Sequence, residues 1–400
     1  MPLNMAFLLL PLAWIYTGIM AIRNWLYDMG WMPAETFAVP LLNVGNLRVG
    51  GTGKTPHVIW LVEELLRQGH RPAILSRGYA RHTRGPRLAG PADSAATVGD
   101  EPWQYYGAFV ARQVPVAVAE ARRLGVALLL REHPEITVVV LDDAYQHRAV
   151  HSALNILLTE LARPFYADHV LPAGRLRESR AGAARADVVI VTKCLPGLPE
   201  VTRVEAERQV RLYTRPGVPV LFTSYEYAPP QQLAESEPAS QVADAIPEDI
   251  NVTVGAKETK GIVGEPKYSA GRTPNSVSAS AETGLRRPDG ATPALLLTGI
   301  AQPGPLLGYL TEQGYHIHFH TEFPDHHAFS AADLTTLRAH WQPGWPIFTT
   351  EKDATRLLDP ALRAARAGLP IYTIPVRVAF LGDDGAVLRQ LLPAAPHAGH

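Results

Sequence analysis

Residues 41–56 read "LLNVGNLRVGGTGKTP", an apolar run that breaks into a glycine turn and a Lys54-Thr55 pair. Strand, glycine-rich turn and helix start is the order in which backbone N–H groups cradle phosphate oxygens. The spacing departs from G-x-x-x-x-G-K-[ST] twice: Arg48 stands at the first glycine position, and Pro56 follows Lys54-Thr55 directly. Neither change removes the loop. Gly50 and Gly51 can supply the turn, and proline fits a first helical turn, where its missing N–H breaks no helix bond. The N–H groups of Gly51, Thr52, Gly53 and Lys54 can wrap a phosphate, Lys54 can reach the β- and γ-oxygens, and the Thr55 hydroxyl can ligate Mg²⁺. ATP with Mg²⁺ is therefore the expected nucleotide, held by Gly50, Gly51, Thr52, Gly53, Lys54 and Thr55.

Such a site needs a carboxylate for the metal. The run "ITVVVL" at 136–141 delivers Asp142-Asp143 at the carboxyl end of a hydrophobic strand, which is the expected form of a metal-holding strand. Further apolar runs at 39–44, 73–75, 114–119, 154–158 and 188–191 alternate with helical stretches such as 56–68 and 120–132. Valine- and isoleucine-rich strands separated by helices predict an α/β fold, a mostly parallel sheet covered on both faces. Ligands of such sheets bind beyond the carboxyl ends of the strands, where the glycine loop falls.

The flanks differ from this pattern. Residues 5–22, "MAFLLLPLAWIYTGIMAI", run without a charge and are followed by Arg23, Trp25, Tyr27 and Trp31. Their length is at the lower limit for spanning a bilayer, and the aromatic residues suit a helix in the headgroup region. No basic residue precedes the run and no small-residue cleavage site closes it, which argues against a signal peptide. Residues 228–292 are rich in Pro, Ser, Ala and Glu and poor in large apolar side chains, so a flexible insertion is expected, with a short strand near 250–254. Strand patterns resume at 294–298, 316–320, 346–349 and 371–375, which predicts a second, smaller α/β domain. The expected division is a membrane-associated helix over 1–28, a nucleotide-binding domain over 29–227, the insertion over 228–292, the smaller domain over 293–393 and a tail over 394–400.

Charge and cysteine content narrow the function further. Lys plus Arg number 37 against 38 for Asp plus Glu, so no general attraction to nucleic acid is expected. The one cysteine, Cys194, excludes an intramolecular disulfide framework and reads as a small residue near a strand end.

Seven motifs then occur in order: "VGNLRVGGTGKTP" at 44–56, "LSRGY" at 75–79, "VGDEP" at 98–102, "LDDAYQHR" at 141–148, "LPAGRLRE" at 171–178, "FPDHHAF" at 323–329 and "TEKDA" at 350–354. Together they resemble the tetraacyldisaccharide 4'-kinases, inner-membrane enzymes that phosphorylate a lipid A precursor. The departures are small: Ala144 and Tyr145 stand where Gly and Phe are expected, and Thr355 where Val is usual.

The resemblance implies an ATP- and Mg²⁺-dependent kinase with a P-loop NTPase-like sheet, acting on the 4'-hydroxyl of a tetraacyldisaccharide 1-phosphate lipid. It implies attachment to the cytoplasmic face of the inner membrane, peripheral or monotopic, with no obligate protein partner evident. Asp100 matches the base for the acceptor hydroxyl. His326 matches the histidine that supports it, with His327 left open, and Glu101 joins the same polar cluster; Lys54 is the catalytic candidate on the nucleotide side. Arg77 and Arg81, in a run that also carries His82, Arg84 and Arg87, are candidate contacts for the lipid's 1-phosphate or for anionic lipid headgroups, and Gln146, His147 and Arg175 are further substrate-binding candidates. Arg175, Arg177 and Glu178 are expected near the triphosphate or metal, Glu178 as a ligand beside Thr55, Asp142 and Asp143. Thr192-Lys193 follows a buried strand and is a candidate for meeting the base. A partitioning or metal-delivery ATPase shares the "VGGTGKT" loop but lacks "FPDHH" and the apolar N-terminus. A nucleotide-gated scaffold would have no need of Asp100.

Overall fold

The computed structural model describes residues 3–233 and 292–394. The expected strand at 250–254, most of the expected insertion and the tail beyond 394 lie outside the described residues.

The glycine loop hangs from β1 (Leu41–Asn46), which is buried along its whole length. β1 pairs in parallel with β5 (Val138–Asp142) on one side and β6 (Leu154–Glu160) on the other. Beyond β5 lie β2 (Pro72–Ser76), β4 (Val116–Val118) and the short β3 (Arg87–Leu88); beyond β6 lie β7 (Val188–Thr192), β8 (Val220–Tyr227) and β14 (Val376–Phe380). The chain leaves β1 toward one edge and later returns past it toward the other, so β1 is the switch point where an open α/β sheet binds its ligand.

Strand alternation assigns the helices. Leu42, Val44, Ile74 and Val140 face α2 (Lys54–Arg67), α4 (Asp100–Phe109) and α11 (Asp384–Leu391), meeting Val58, Val62, Tyr105, Phe109 and Leu388. On the other face Leu41, Leu75, Val139 and Leu141 pack with Val126 and Leu129 of α5 (Arg122–Glu132), while Leu157 and Val189 pack with Ala206 and Val210 of α6 (Glu200–Arg211). A one-turn helix, α3 (Ala95–Val98), leads into α4.

A second sheet has the order β11 (Tyr315–Glu322), β10 (Thr292–Thr298), β12 (Ile347–Thr350), β13 (Ile371–Ile374) and β9 (Gln231–Gln232). It carries α7 (Gly304–Glu312), α8 (Ala331–His340), α9 (Glu351–Leu357) and α10 (Arg363–Arg366). Two features differ from the sequence-based division. Gln231–Gln232 pair antiparallel with β13 although they were assigned to the insertion. The C-terminal segment returns to the first sheet: β14 pairs antiparallel with β8, and α11 packs against α2. The two sheets are therefore joined by two chain crossings, at 228–230 and at Pro375, tied by the Ala228 N–H donating to the Pro375 carbonyl at 2.9 Å.

The N-terminal helix α1 (Leu3–Asp28) lies against the large sheet by one side only. Ala13 is buried, the Tyr16 hydroxyl donates to the Arg177 carbonyl at 2.9 Å, and Arg23 donates to the Gln146 carbonyl at 3.0 Å. Leu12, Trp14, Ile15, Ile19, Ile22 and Trp25 are exposed, and Leu12, Ile15, Ile19 and Ile22 recur at helical spacing. Among the described residues no helix is long and apolar enough to cross a membrane.

Asp384 anchors the returning C-terminal segment. It accepts from the Phe222 N–H and from Arg203, both at 2.7 Å, and is buried. Asp384→Ala leaves a buried N–H and a guanidinium unpaired, so urea denaturation should show a loss of about 2–3 kcal/mol.

Candidate active site

The loop after β1 is built by local geometry. Gly53 is left-handed, φ 89°, and ends the turn one residue before α2. A side chain there would collide with the Tyr225 hydroxyl, so Gly53 is required by backbone and by space. His57, one turn into α2, lies within 2.7 Å of the Gly53 carbonyl through Nδ1 and within 3.1 Å of the Thr223 hydroxyl through Nε2. A carbonyl only accepts, so Nδ1 carries the proton and the Thr223 hydroxyl donates to Nε2. Burial lowers the His57 pKa to about 4, which keeps this brace neutral. Thr52 is fixed from two sides: its hydroxyl accepts from Asn46 at 2.7 Å and its carbonyl accepts from the Thr192 hydroxyl at 2.9 Å.

Arg48, the residue in place of glycine, donates to Asp168 at 2.7 Å. The loop here runs beside residues 168–177: Val49 N–H donates to the Arg175 carbonyl at 2.9 Å and Arg177 N–H to the Leu47 carbonyl at 2.7 Å. The position is thus used to dock a second segment onto the loop.

The two acids arrive in register, with Val44 of β1 opposite Asp142 of β5. Asp143 is left-handed, φ 49°, which turns its carboxylate toward Lys54 at 3.7 Å and Arg177 at 2.7 Å. Burial opposes its charge, but Lys54, Arg177 and Arg122 outweigh that and bring its pKa to about 2. Asp142 behaves oppositely. Burial and the neighbouring Asp143 push it up to about 6, Ser76 donates to Oδ2 at 2.9 Å, and buried Oδ1 has no hydrogen-bond partner. A divalent cation would satisfy that orphaned oxygen and remove the repulsion, so the acid pair with Thr55 fits Mg²⁺. Among the described residues no group of three His, Cys, Asp or Glu side chains forms a metal cage; Mg²⁺, which keeps waters and phosphate oxygens as ligands, does not require one.

Glu178 is engaged by protein partners. It is buried and accepts from Asn24 of α1 at 2.9 Å, Gln146 at 3.0 Å and Arg185 at 2.7 Å, so its charge is neutralised by arginine and its oxygens are taken. Gln146 is likewise committed, donating to Glu178 and to the Asn46 carbonyl at 2.9 Å. Arg81 also differs from a free phosphate contact: it donates to Glu120 and to the Gly85 carbonyl, both at 2.6 Å, and braces its own loop. Arg77 and Arg175 are exposed and their side chains make no ion pair among the described residues. His147 stands beside Arg122 and Arg77, and burial followed by those two cations lowers its pKa to about 4. Lys193, φ 58°, contacts Glu160 at 3.3 Å and Gln302, from the second sheet's unit, at 3.1 Å. Tyr145 explains its own departure from Phe, since its hydroxyl donates to the Gly182 carbonyl at 2.9 Å.

The second sheet completes the arrangement. Asp100 is the first residue of α4, where the helix N-terminus favours negative charge. His326, left-handed at φ 63° in the loop after β11, places Nδ1 3.1 Å from Asp100 Oδ2. His327 points away, 3.0 Å from Asp333 and stacked on Phe323, which decides between the two histidines. Burial raises the Asp100 pKa, but the His326 contact, Arg356 and Lys352 together hold it below its usual value. Glu101 lies 3.7 Å from Lys352, and its charge also reaches Asp142. Three residues were not singled out from sequence. Arg122 is buried and donates to the carbonyls of Ala119, Asp142 and Asp143, yet reads as an ordinary charged helix start. Lys352 and Arg356 lie in and just beyond "TEKDA", and only contacts across the two units reveal them.

A family model described as tetraacyldisaccharide-1-P 4'-kinase matches residues 5–395. The chain belongs to the tetraacyldisaccharide 4'-kinase family. It is 38% identical over 381 residues to the tetraacyldisaccharide 4'-kinase of Bacteroides thetaiotaomicron, covering 94% of this chain and 89% of that one. It is 36% identical over 386 residues to that of Cytophaga hutchinsonii, covering 96% and 94%. The crystal structure of LpxK from Aquifex aeolicus in complex with ATP is similar over 97% of this chain and 98% of that chain, with a TM-score of 0.65 and 25% identity.

The raised pKa of Asp142 has a measurable consequence. A carboxyl whose folded pKa lies above its unfolded value favours folding at low pH, and that contribution is lost as pH rises from about 4 through about 6. In metal-free protein, Asp142→Asn should therefore raise thermal stability above pH 6, by roughly 1–3 kcal/mol, and the gain should vanish near pH 4. Mg²⁺ titration should stabilise the parent far more than the variant.

Proposed function

We infer that this chain is an ATP-dependent kinase that transfers the γ-phosphate of ATP to the 4'-hydroxyl of a tetraacyldisaccharide 1-phosphate, a step in lipid A biosynthesis. The observation that carries the reading is the meeting of Asp100 and His326 from different units beside a phosphate loop, since an enzyme that only hydrolysed ATP would need no such pair. The partitioning-ATPase alternative gains nothing from this geometry.

The residue roles follow from chemistry. The N–H groups of Gly51, Gly53 and Lys54 and the Lys54 ammonium meet the accumulating negative charge of the phosphates, while the Thr52 N–H donates to the Gly50 carbonyl at 3.0 Å. Mg²⁺, held by Thr55, Asp142 and Asp143, would neutralise the β- and γ-oxygens. Arg122 fixes the backbone of the acid pair, and Arg177 shares Asp143 with Lys54. Asp100 takes the proton of the 4'-hydroxyl as that oxygen bonds to the γ-phosphorus and the bond to the β-phosphate oxygen breaks, leaving ADP. His326 orients Asp100. Arg77 and Arg175, exposed cations whose side chains make no ion pair among the described residues, are suited to the lipid's 1-phosphate. The exposed apolar side of α1 suits a peripheral or monotopic seat on the cytoplasmic face of the inner membrane, where acyl chains remain in the bilayer while the sugar is presented to the site.

Transfer of radiolabel from ATP to the purified disaccharide lipid tests the activity. Asp100→Ala should cut kcat by roughly 10²–10⁴-fold while ATP affinity stays within a few fold, and Lys54→Ala should lose roughly 10²-fold or more. A nearly silent Asp100→Ala would move the base elsewhere, with Glu101 first to examine. For membrane attachment, replacing Leu12, Ile15 and Ile19 by serine should shift protein from the vesicle pellet to the supernatant; unchanged pelleting would remove α1 from the binding surface.

A further inference from the structure

Helix α9 carries two cations one turn apart, Lys352 and Arg356, on the face turned to the start of α4. Its start is fixed by a reciprocal cap: the Thr350 hydroxyl accepts from the Asp353 N–H at 3.0 Å and donates to the Asp353 carboxylate at 2.7 Å. Buried Asp353 also accepts from the Gly299 N–H at 3.1 Å and from Arg356 at 2.8 Å, and Arg356 donates to the His327 carbonyl at 2.8 Å. The loops after β10 and β11 are thus tied to α9. The two cations are consequently held by the same framework that holds His326.

Lys352 Nζ lies 3.0 Å from His326 Nε2, 3.0 Å from Asp325 and 3.7 Å from Glu101. An ammonium has N–H donors and no lone pair, so in this contact it donates and Nε2 accepts. The proton of the neutral ring then sits on Nδ1, from which it is given to Asp100 Oδ2 at 3.1 Å. Arg356 Nε, a buried donor with no hydrogen-bond partner, lies 3.5 Å from the same oxygen. Oδ1 of Asp100 takes no hydrogen bond among the described residues. The opposite tautomer, with the proton on Nε2, would turn two donors toward each other and present the Nδ1 lone pair to a carboxylate.

We propose that Lys352 is the positioning residue of phosphoryl transfer: by fixing the His326 proton on Nδ1 it keeps Asp100 ionised, with Oδ1 open to the acceptor hydroxyl. This rests on Asp100 being the base in the reading above. Lys352 touches neither reacting group and acts through His326. The groups facing Asp100 are His326, Lys352 and Arg356 from the second unit; Glu101 reaches it through Lys352 and Asp353 through Arg356, Asp325 lies 3.0 Å from Lys352 and at the longer distance of 3.8 Å from His326 Nε2, and the Tyr79 ring packs beside His326. The cations and the histidine contact lower the Asp100 pKa, so activity is lost as pH falls through that pKa. Removing the Lys352 charge moves that loss to higher pH.

The test measures kcat against pH at saturating ATP and lipid for the full chain and for Lys352→Met, Lys352→Gln, Lys352→Arg and Asp100→Ala. Imidazole ¹⁵N spectra of parent and variants, with His326 assigned by His326→Gln, read the tautomer directly. Lys352→Met and Lys352→Gln should lower kcat roughly 10- to 100-fold, within the 10²–10⁴ that proton transfer contributes as a whole. Their acid limbs should lie at higher pH and KM for ATP should change little. Lys352→Arg should return the limb toward its parental position, and the parental spectrum should show a protonated Nδ1. A lowered kcat with an unmoved acid limb would make Lys352 merely structural and overturn the proposal, as would a parental His326 protonated on Nε2 alone. Inactive Asp100→Ala beside fully active Lys352→Met overturns the proposal and leaves the base assignment standing. An active Asp100→Ala overturns both.

Discussion

Two carboxylates on consecutive residues, at the buried end of a central strand, cannot be kept there without positive charge around them. Asp142 and Asp143 set that condition, and much of the large unit answers it. Lys54 comes from the phosphate loop, Arg177 from a segment that Arg48 docks beside that loop, and Arg122 from the start of α5. The answer is incomplete by design of the site: Asp143 is compensated, whereas Asp142 keeps an orphaned oxygen and a raised pKa. A fully neutralised pair would have no electrostatic reason to take a divalent cation. The residual charge is what a divalent cation would neutralise there.

The same network reaches α1. Tyr16 holds the Arg177 carbonyl, and Asn24 holds Glu178, which shares Gln146 with the Asn46 carbonyl at the base of the phosphate loop. The helix that offers an apolar face to the outside is therefore bonded through its polar face to the groups around the metal acids. Burying Glu178 requires these partners, and that requirement, rather than propensity, explains why an amphipathic N-terminal segment docks where it does.

Strands buried on both faces, such as 138–142 and 188–192, were legible because each is a near-continuous run of Val, Ile and Leu. β8 and β14 were not, because they form an edge ribbon whose outer ends mix Ser, Tyr, Glu and Arg, and nothing local to 376–380 says that its partner lies about 150 residues earlier. The phosphate loop, the acid pair and Asp100 were legible as motifs. The partners of Glu178 were hidden for a physical reason: a sequence displays an acid but not the arginine, glutamine and asparagine that donate to it. Lys352 and Arg356 escaped for the converse reason, being ordinary helix-surface cations until α9 is laid against α4.

Strain marks the same division of labour. Among the described residues Ala80, Gln113, Asp143, Lys193 and His326 are the non-glycine residues with positive φ. Three of them aim side chains at the phosphate loop's lysine or across the seam between the two sheets. Such a backbone costs of order 1–3 kcal/mol each and persists only where neighbours over-determine it. For Asp143 the neighbours are Lys54 and Arg177, within the large unit. For Lys193 and His326 they include Gln302 and Asp100, contacts that cross the seam between the two units, with Lys352 holding His326 from within its own unit. The groups around the phosphate loop's lysine are thus supplied by one unit, whereas the Asp100–His326 pair draws one member from each, so its geometry is only as exact as the packing of the two units across the seam.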